Sequence, residues 1–181
     1  MKTVGVLISG RGSNMMALVE AGIPVRLVAS DKPDAPGIAW AKERGIATFA
    51  LSPKGIGKAA YEAQIDAALR AAGCELIALA GYMRLLSDDF VQRWRDRIVN
   101  IHPSLLPKYK GLDTHARAIA AGDAVAGCSV HVVTEELDGG RLLGQAEVSV
   151  LPDDGPDTLA SRVLAAEHRL YPQVLKEFAS R

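Results

Sequence analysis

The sequence predicts an α/β fold: a mostly parallel, doubly wound sheet that ends in an antiparallel extension. Three observations predict it. Short apolar, β-branched runs alternate with Ala-, Glu- and Leu-rich stretches over residues 1–102, the order that gives parallel strands covered by helices. A glycine loop, Gly10-Arg11-Gly12, follows the first apolar run directly and leads into a helical stretch. Beyond residue 128 come two extended runs separated by Asp-Gly-Gly, which reads as an antiparallel pair. A length of 181 residues predicts one domain with a sizeable core.

Composition narrows the function classes. Lys plus Arg and Asp plus Glu are 21 each, so the chain has no overall charge to draw it to nucleic acid or an anionic membrane. The two cysteines, Cys74 and Cys128, form no spacing motif and read as free thiols of a reducing compartment. No Cys-x-x-Cys or His-Glu-x-x-His occurs, so no metal is expected. The apolar start is too short to span a membrane and runs into the glycine loop instead of a cleavage site, so a cytoplasmic location is expected.

In chain order, residues 3–9 are apolar on both faces, as a central parallel strand requires. The loop after them aims backbone N–H groups at an anion where the next helix, 15–21, begins. Ser13 and Asn14 add donors and a candidate N-cap, and Arg11 adds a charge. The motif is neither Gly-x-Gly-x-x-Gly nor a P-loop, so a phosphate monoester fits better than a dinucleotide or triphosphate. Residues 25–30 form a second strand, broken by Asp31-Lys32-Pro33. Pro36 opens a helix that Gly45 ends. Residues 47–51 form a third strand, 58–72 a helix closed by Gly73, and 76–80 a buried strand.

Gly81-Tyr82-Met83-Arg84-Leu85-Leu86 follows. Its pattern alone places it in the core; exposed in a cleft, it would suit a flat aromatic ligand. Ser87 caps a helix to about 94. Residues 97–101 end another buried strand, on which Asn100 and His102 share a face because they are two apart. Pro103 stops that strand, at the sheet edge where open α/β folds bind ligands. Residues 113–121 are helical. Residues 128–134 alternate, with Ser129, His131 and Val133 on one face, and 141–150 form a second extended run. Asp138, in the loop between them, reads either as a turn residue or as a site carboxylate. Residues 156–178 form a long amphipathic helix. His115, His131 and His168 lack the Asn-x-His pairing and are not read as site residues.

Asn100-Ile101-His102-Pro103-Ser104-Leu105-Leu106-Pro107 resembles the signature of folate-dependent formyltransferases. Ser9-Gly10-Arg11-Gly12-Ser13-Asn14, Gly81-Tyr82-Met83-Arg84 and Glu136-Leu137-Asp138-Gly139-Gly140 resemble the branch of that family that serves purine synthesis. The four motifs stand in the family's order and, with Glu167-His168, cover nearly the whole chain. The resemblance implies a single Rossmann-like formyltransferase domain over 1–181, with a nucleotide-binding half at about 1–100 and a folate-cleft half at about 101–181. It implies formyl transfer from N10-formyltetrahydrofolate, a co-substrate, to the amine of glycinamide ribonucleotide, in a monomer or homodimer. It assigns Asn100, His102 and Asp138 to catalysis. It assigns Gly12, Ser13, Asn14 and Glu167 to the ribonucleotide and its phosphate, and Lys58, Met83, Arg84, Leu85, Leu86 and Asn100 to the folate. Arg11 and Lys110 depart from the Asn and Pro found in other members.

The chemistry of the residues agrees. An amine attacking a formamide carbon forms a tetrahedral oxyanion that needs hydrogen-bond donors, and a histidine titrating near neutrality can move the protons. A methionyl-tRNA formyltransferase would be expected to add an RNA-binding domain and a basic surface. A formyltetrahydrofolate deformylase would add an N-terminal regulatory domain. A non-catalytic nucleotide-binding domain would have no reason to keep Asn100, His102 and Asp138 together.

Overall fold

The apolar runs are strands in the computed structural model, which describes residues 1–181. They are β1 (Val4–Ile8), β2 (Val25–Ser30), β3 (Ala47–Ala50), β4 (Leu76–Leu79), β5 (Ile98–His102), β6 (Val125–Val132) and β7 (Leu142–Ser149). The helices are α1 (Ser13–Glu20), α2 (Pro36–Glu43), α3 (Lys58–Ala71), α4 (Asp88–Arg93), α5 (Thr114–Ala120) and α6 (Pro156–Ala179). The strands form one sheet in the order β3-β2-β1-β4-β5-β6-β7. The pairs from β3 to β5 are parallel, while β5–β6 and β6–β7 are antiparallel. The fold is therefore the mostly parallel α/β sheet with an antiparallel extension that the sequence predicts. No helix is long and apolar enough to cross a membrane.

Every residue of β1 is buried, because both faces of the sheet are covered. On one face Val6, Ile8 and Val28 pack with Met15 and Leu18 of α1, Ile38 of α2, and Leu159, Val163 and Leu175 of α6. On the other, Leu7, Ile77 and Ile98 pack with Tyr61, Ile65 and Leu69 of α3, and with Phe90 of α4 and its C-cap Trp94. The order reverses at β1, whose neighbours are β2 and β4. A crevice opens beyond the carboxyl ends of strands at such a switch point. β6 begins three residues before the expected start, because Val125 pairs with Ser149 at the far end of β7. That start depends on the length of a partner strand, which local alternation does not encode.

Two buried polar side chains brace the strand ends under the crevice. The Tyr171 hydroxyl of α6 lies 3.0 Å from both the Leu79 and the Val99 carbonyl oxygens, tying α6 to β4 and β5. The Glu62 carboxylate of α3 accepts the Ser87 N–H (2.9 Å) and the Ser87 hydroxyl hydrogen. Ser87 Oγ in turn caps α4 by accepting the Phe90 N–H at 3.2 Å. Replacing Tyr171 by Phe removes one oxygen from a fully buried ring. We expect urea unfolding of Tyr171→Phe to show a loss of about 1–3 kcal/mol, with the m-value unchanged.

Candidate active site

The crevice is a cleft of about 930 Å³ lined by residues of β4, β5 and β6, by the loops after β1, β4, β5 and β6, and by side chains of the surrounding helices. At one end stands the first turn of α1. Gly12 is its N-cap, at φ 70°, in the left-handed region that a side chain resists. Ser13 and Asn14 are thus the first helical residues, not the cap the sequence suggested, and no side chain caps this end. The first intrahelical bond runs from Met16 N–H to Gly12 O at 2.9 Å. The N–H groups of Ser13, Asn14 and Met15 consequently lie outside the ladder, free for an anion. The Asn14 amide donates to Glu167 Oε2 of α6 at 2.8 Å, which places two predicted residues 153 positions apart in direct contact. Burial raises the Glu167 pKa above the usual carboxylate range, and the Asn14 bond only partly offsets it. The Asn14 Oδ1 atom is buried without a partner.

The 81–87 segment forms another wall. Met83 N–H donates to Ser9 Oγ (2.9 Å), whose hydrogen goes to the buried Asp31 Oδ1 (2.7 Å). At the far end Ser87 is held by Glu62. Between these anchors the Arg84 guanidinium stands 5.4 Å from the Tyr61 ring centroid, within cation–π range. Met83 and Leu85 are each 68% exposed, which corrects the core placement that the apolar pattern favoured. Held by its ends, the segment projects its side chains into the cleft instead of under the sheet. Leu112 and Leu137, also exposed, line the same cleft. Lys58, exposed at the start of α3, and Leu86 line it as well.

Asn100, His102 and Asp138 meet in one corner. His102 Nδ1 lies 3.5 Å from Asp138 Oδ2, and both side chains are about 8% exposed. Asp138 Oδ2 also accepts the Gly111 N–H at 2.9 Å. Asp138 is at φ 48°, and Gly140 lies against Val132 so closely that a Cβ there would overlap the Val132 carbonyl. Together these bend the 133–141 loop back over the strand ends. His102 Nε2 is 2.8 Å from the Tyr109 carbonyl. A carbonyl only accepts, so Nε2 carries the hydrogen and Nδ1 faces the carboxylate.

His131 is a fourth member of this corner, and the sequence reading passed it over. It is paired across β5–β6 with Asn100. Its Nδ1 donates to the Val132 carbonyl (3.1 Å), which leaves Nε2 to accept from the Asn100 amide (3.3 Å). Nε2 is also 3.6 Å from Asp138 Oδ1. Burial lowers the His131 pKa more than the Val132 bond and Asp138 raise it, so the ring stays neutral and can accept. The signal was its place on the alternating 128–134 face, which needed the β5–β6 register to be read. His115 lines the cleft too, with its Nδ1 buried and unpartnered, whereas His168 lies outside it. No three His, Cys, Asp or Glu side chains are grouped as metal ligands.

The family model described as formyl transferase matches residues 1–175. The phosphoribosylglycinamide formyltransferase of Escherichia coli K12 is 44% identical over 96% of this chain and 85% of its own. The trifunctional purine biosynthetic protein adenosine-3 of Drosophila melanogaster is 46% identical over 96% of this chain, which spans only 14% of that relative's length. The crystal structure of phosphoribosylglycinamide formyltransferase from Brucella melitensis superposes with a TM-score of 0.94 at 51% identity, covering 99% of this chain and 96% of that one.

The lowered His131 pKa fixes a pH dependence. An unfolded histidine titrates near about 6.5, so below that pH the unfolded chain binds a proton that folded His131 refuses. The stability His131 contributes is present above about pH 6.5 and is lost as pH falls. Urea midpoints measured from neutral to mildly acid pH should drop for the wild type. They should drop less steeply for His131→Gln, by up to about 1.4 kcal/mol per pH unit. Parallel slopes would contradict this reading.

Proposed function

The chain belongs to the formyl transferase family, and on that premise we propose that it transfers a formyl group from N10-formyltetrahydrofolate to the amine of glycinamide ribonucleotide in purine synthesis. The observation that carries this reading is the meeting of Asn100, His102 and the enclosed Asp138 carboxylate in one corner of a cleft whose two arms differ in chemistry. The arm at α1 offers uncapped N–H groups, suited to a phosphate. Glu167 and Asn14 stand next to it for the rest of the ribonucleotide. The arm at 83–86 offers apolar side chains, Arg84 and the Lys58 ammonium, suited to the flat, acidic folate. Residues 1–100 supply most of the nucleotide side, and the elements after them close the corner where the ligands meet. We place the enzyme in the cytoplasm, where its buried free thiols stay reduced.

The amine nitrogen attacks the formyl carbon, forming the new C–N bond and an oxyanion. The Asn100 N–H not given to His131 is the donor for that oxygen, and the His102 ring, held at Nε2 by the Tyr109 carbonyl, stands beside it as the proton-transfer group. The attacking amine loses a proton, N10 gains one, and the C–N10 bond breaks to release tetrahydrofolate and the formylated ribonucleotide. Asp138 holds His102 and keeps a negative charge beside the ring while protons move. No protein nucleophile is needed.

Purified protein with N10-formyltetrahydrofolate, monitored by folate absorbance, should turn over with glycinamide ribonucleotide and not with formyl-accepting tRNA or water. Turnover with either of the latter alone would overturn the reading. His102→Ala, Asn100→Ala and Asp138→Ala should each lose at least about 10² in kcat, with ribonucleotide binding kept. Gly12→Val should weaken the ribonucleotide far more than the folate, because a β-branched residue resists φ 70° and its Cβ would press on Met15 and Ile8, displacing the turn that presents the N–H groups. Equal loss of both ligands in a folded variant would remove the phosphate assignment.

A further inference from the structure

Four side chains gather on the outer side of the loop that carries Tyr109, and none of them lines the cleft. The Tyr109 hydroxyl donates to Asp123 Oδ2 at 2.6 Å. Lys108 Nζ lies 3.3 Å from Asp123 Oδ1. The Arg117 guanidinium stands 5.2 Å from the Tyr109 ring centroid and donates to the Lys110 and Leu112 carbonyls at 2.8 and 3.0 Å. Their joint effect is on the backbone. Tyr109 sits at φ 55°, in the left-handed region that a bulky residue enters only when its surroundings hold it there. In that conformation its carbonyl reaches His102 Nε2 at 2.8 Å, the one hydrogen bond Nε2 makes.

We propose that Tyr109 and Asp123 are positioning residues for His102. The phenol–carboxylate bond holds the loop in the conformation whose carbonyl accepts the Nε2 hydrogen and so fixes the plane of the ring, with Nδ1 turned to Asp138. This rests on the role given to His102 above. The ring then has an acceptor at each nitrogen, the Tyr109 carbonyl at Nε2 and the Asp138 carboxylate at Nδ1, and is held from both sides. Without the carbonyl, Asp138 alone holds the ring, the Nε2 hydrogen loses its acceptor, and the ring can rotate about its broad terminal torsion. A hydrogen bond from a phenol to an ionised carboxylate is among the stronger kinds. The same bond is the leading cause that lowers the Asp123 pKa and raises that of Tyr109. The clamp therefore persists through the neutral range in which His102 must work.

The test uses Tyr109→Phe, Asp123→Ala and Asp123→Asn in the full chain. Asparagine keeps an acceptor oxygen for the phenol. In Tyr109→Phe and Asp123→Ala, kcat for formyl transfer should fall by between about tenfold and a hundredfold. KM for both substrates should stay within about twofold of wild type, as expected when only transition-state geometry is lost. Asp123→Asn should recover most of the activity. Ring-nitrogen NMR of His102 without substrate should show a hydrogen-bonded Nε2–H in wild type and Asp123→Asn, and its weakening or loss in the other two. Lower melting temperatures with unchanged kcat and unchanged His102 signals would mean a purely structural cluster and overturn the proposal. So would KM losses that account for the whole effect. Should Asp123→Ala not fold, Tyr109→Phe carries the test, since it removes a single oxygen. Should the wild type fail to formylate glycinamide ribonucleotide, the functional reading falls, and the nitrogen spectra alone decide the clamp.

Discussion

A carboxylate shielded from water must find its donors within the protein, because desolvation otherwise disfavours the charge. Asp138 meets that demand with the Gly111 N–H, while a ring nitrogen of His102 and one of His131 stand 3.5 and 3.6 Å from its two oxygens. The requirement joins four parts of the chain: the 133–141 loop, the segment after Tyr109, β5 and β6. Asn100 is drawn in through His131. β6 runs antiparallel to β5 and ends beside Ile98 and Val99, so the 133–141 loop leaves below the strand ends and must fold back to bring Asp138 to His102.

The cleft divides its work by the type of group each wall presents. At α1 the wall is backbone, whose N–H groups are exposed because glycine supplies the cap and no side chain covers them. At 83–86 the wall is side chain, held from behind by polar anchors at both ends. Neither arrangement asks the protein for net charge, which agrees with a balanced composition. The charges that matter are local: Asp31 is buried behind a wall, while Glu167, Arg84 and Lys58 line the cleft.

Most of the fold was legible because strand and helix periods were clean. The parallel half follows from alternation alone, and punctuation by Gly45, Gly73 and Pro103 set most boundaries closely. Asn100 and His102 were legible for the same reason, since a period of two needs no partner strand. His131 was not. Its relevance depends on which residue of β5 it opposes, a register fixed by the length and course of the 103–124 connection. Met83 and Leu85 misled in the opposite sense: an apolar run normally signals core, and only the anchors at Ser9 and Glu62 explain why this one faces water. Tyr109 gave no signal, since its contribution lies in a carbonyl, which every residue has. The Asp138 alternatives, turn residue or site carboxylate, describe one residue whose backbone turns the loop while its carboxylate reaches the two histidines.

The aliphatic side chains of Met83, Leu85, Leu112 and Leu137 keep their hydration while the cleft is open. A flat ring laid among them releases that water, and burial of apolar surface carries a negative heat-capacity change. Association at this arm therefore becomes more exothermic as temperature rises. The α1 arm exchanges hydrogen bonds with water for hydrogen bonds with backbone and lacks that strong temperature dependence. On the proposed reading, two ligands sharing the cleft answer differently to warming, so their relative occupancy depends on temperature even where their affinities match at a single one.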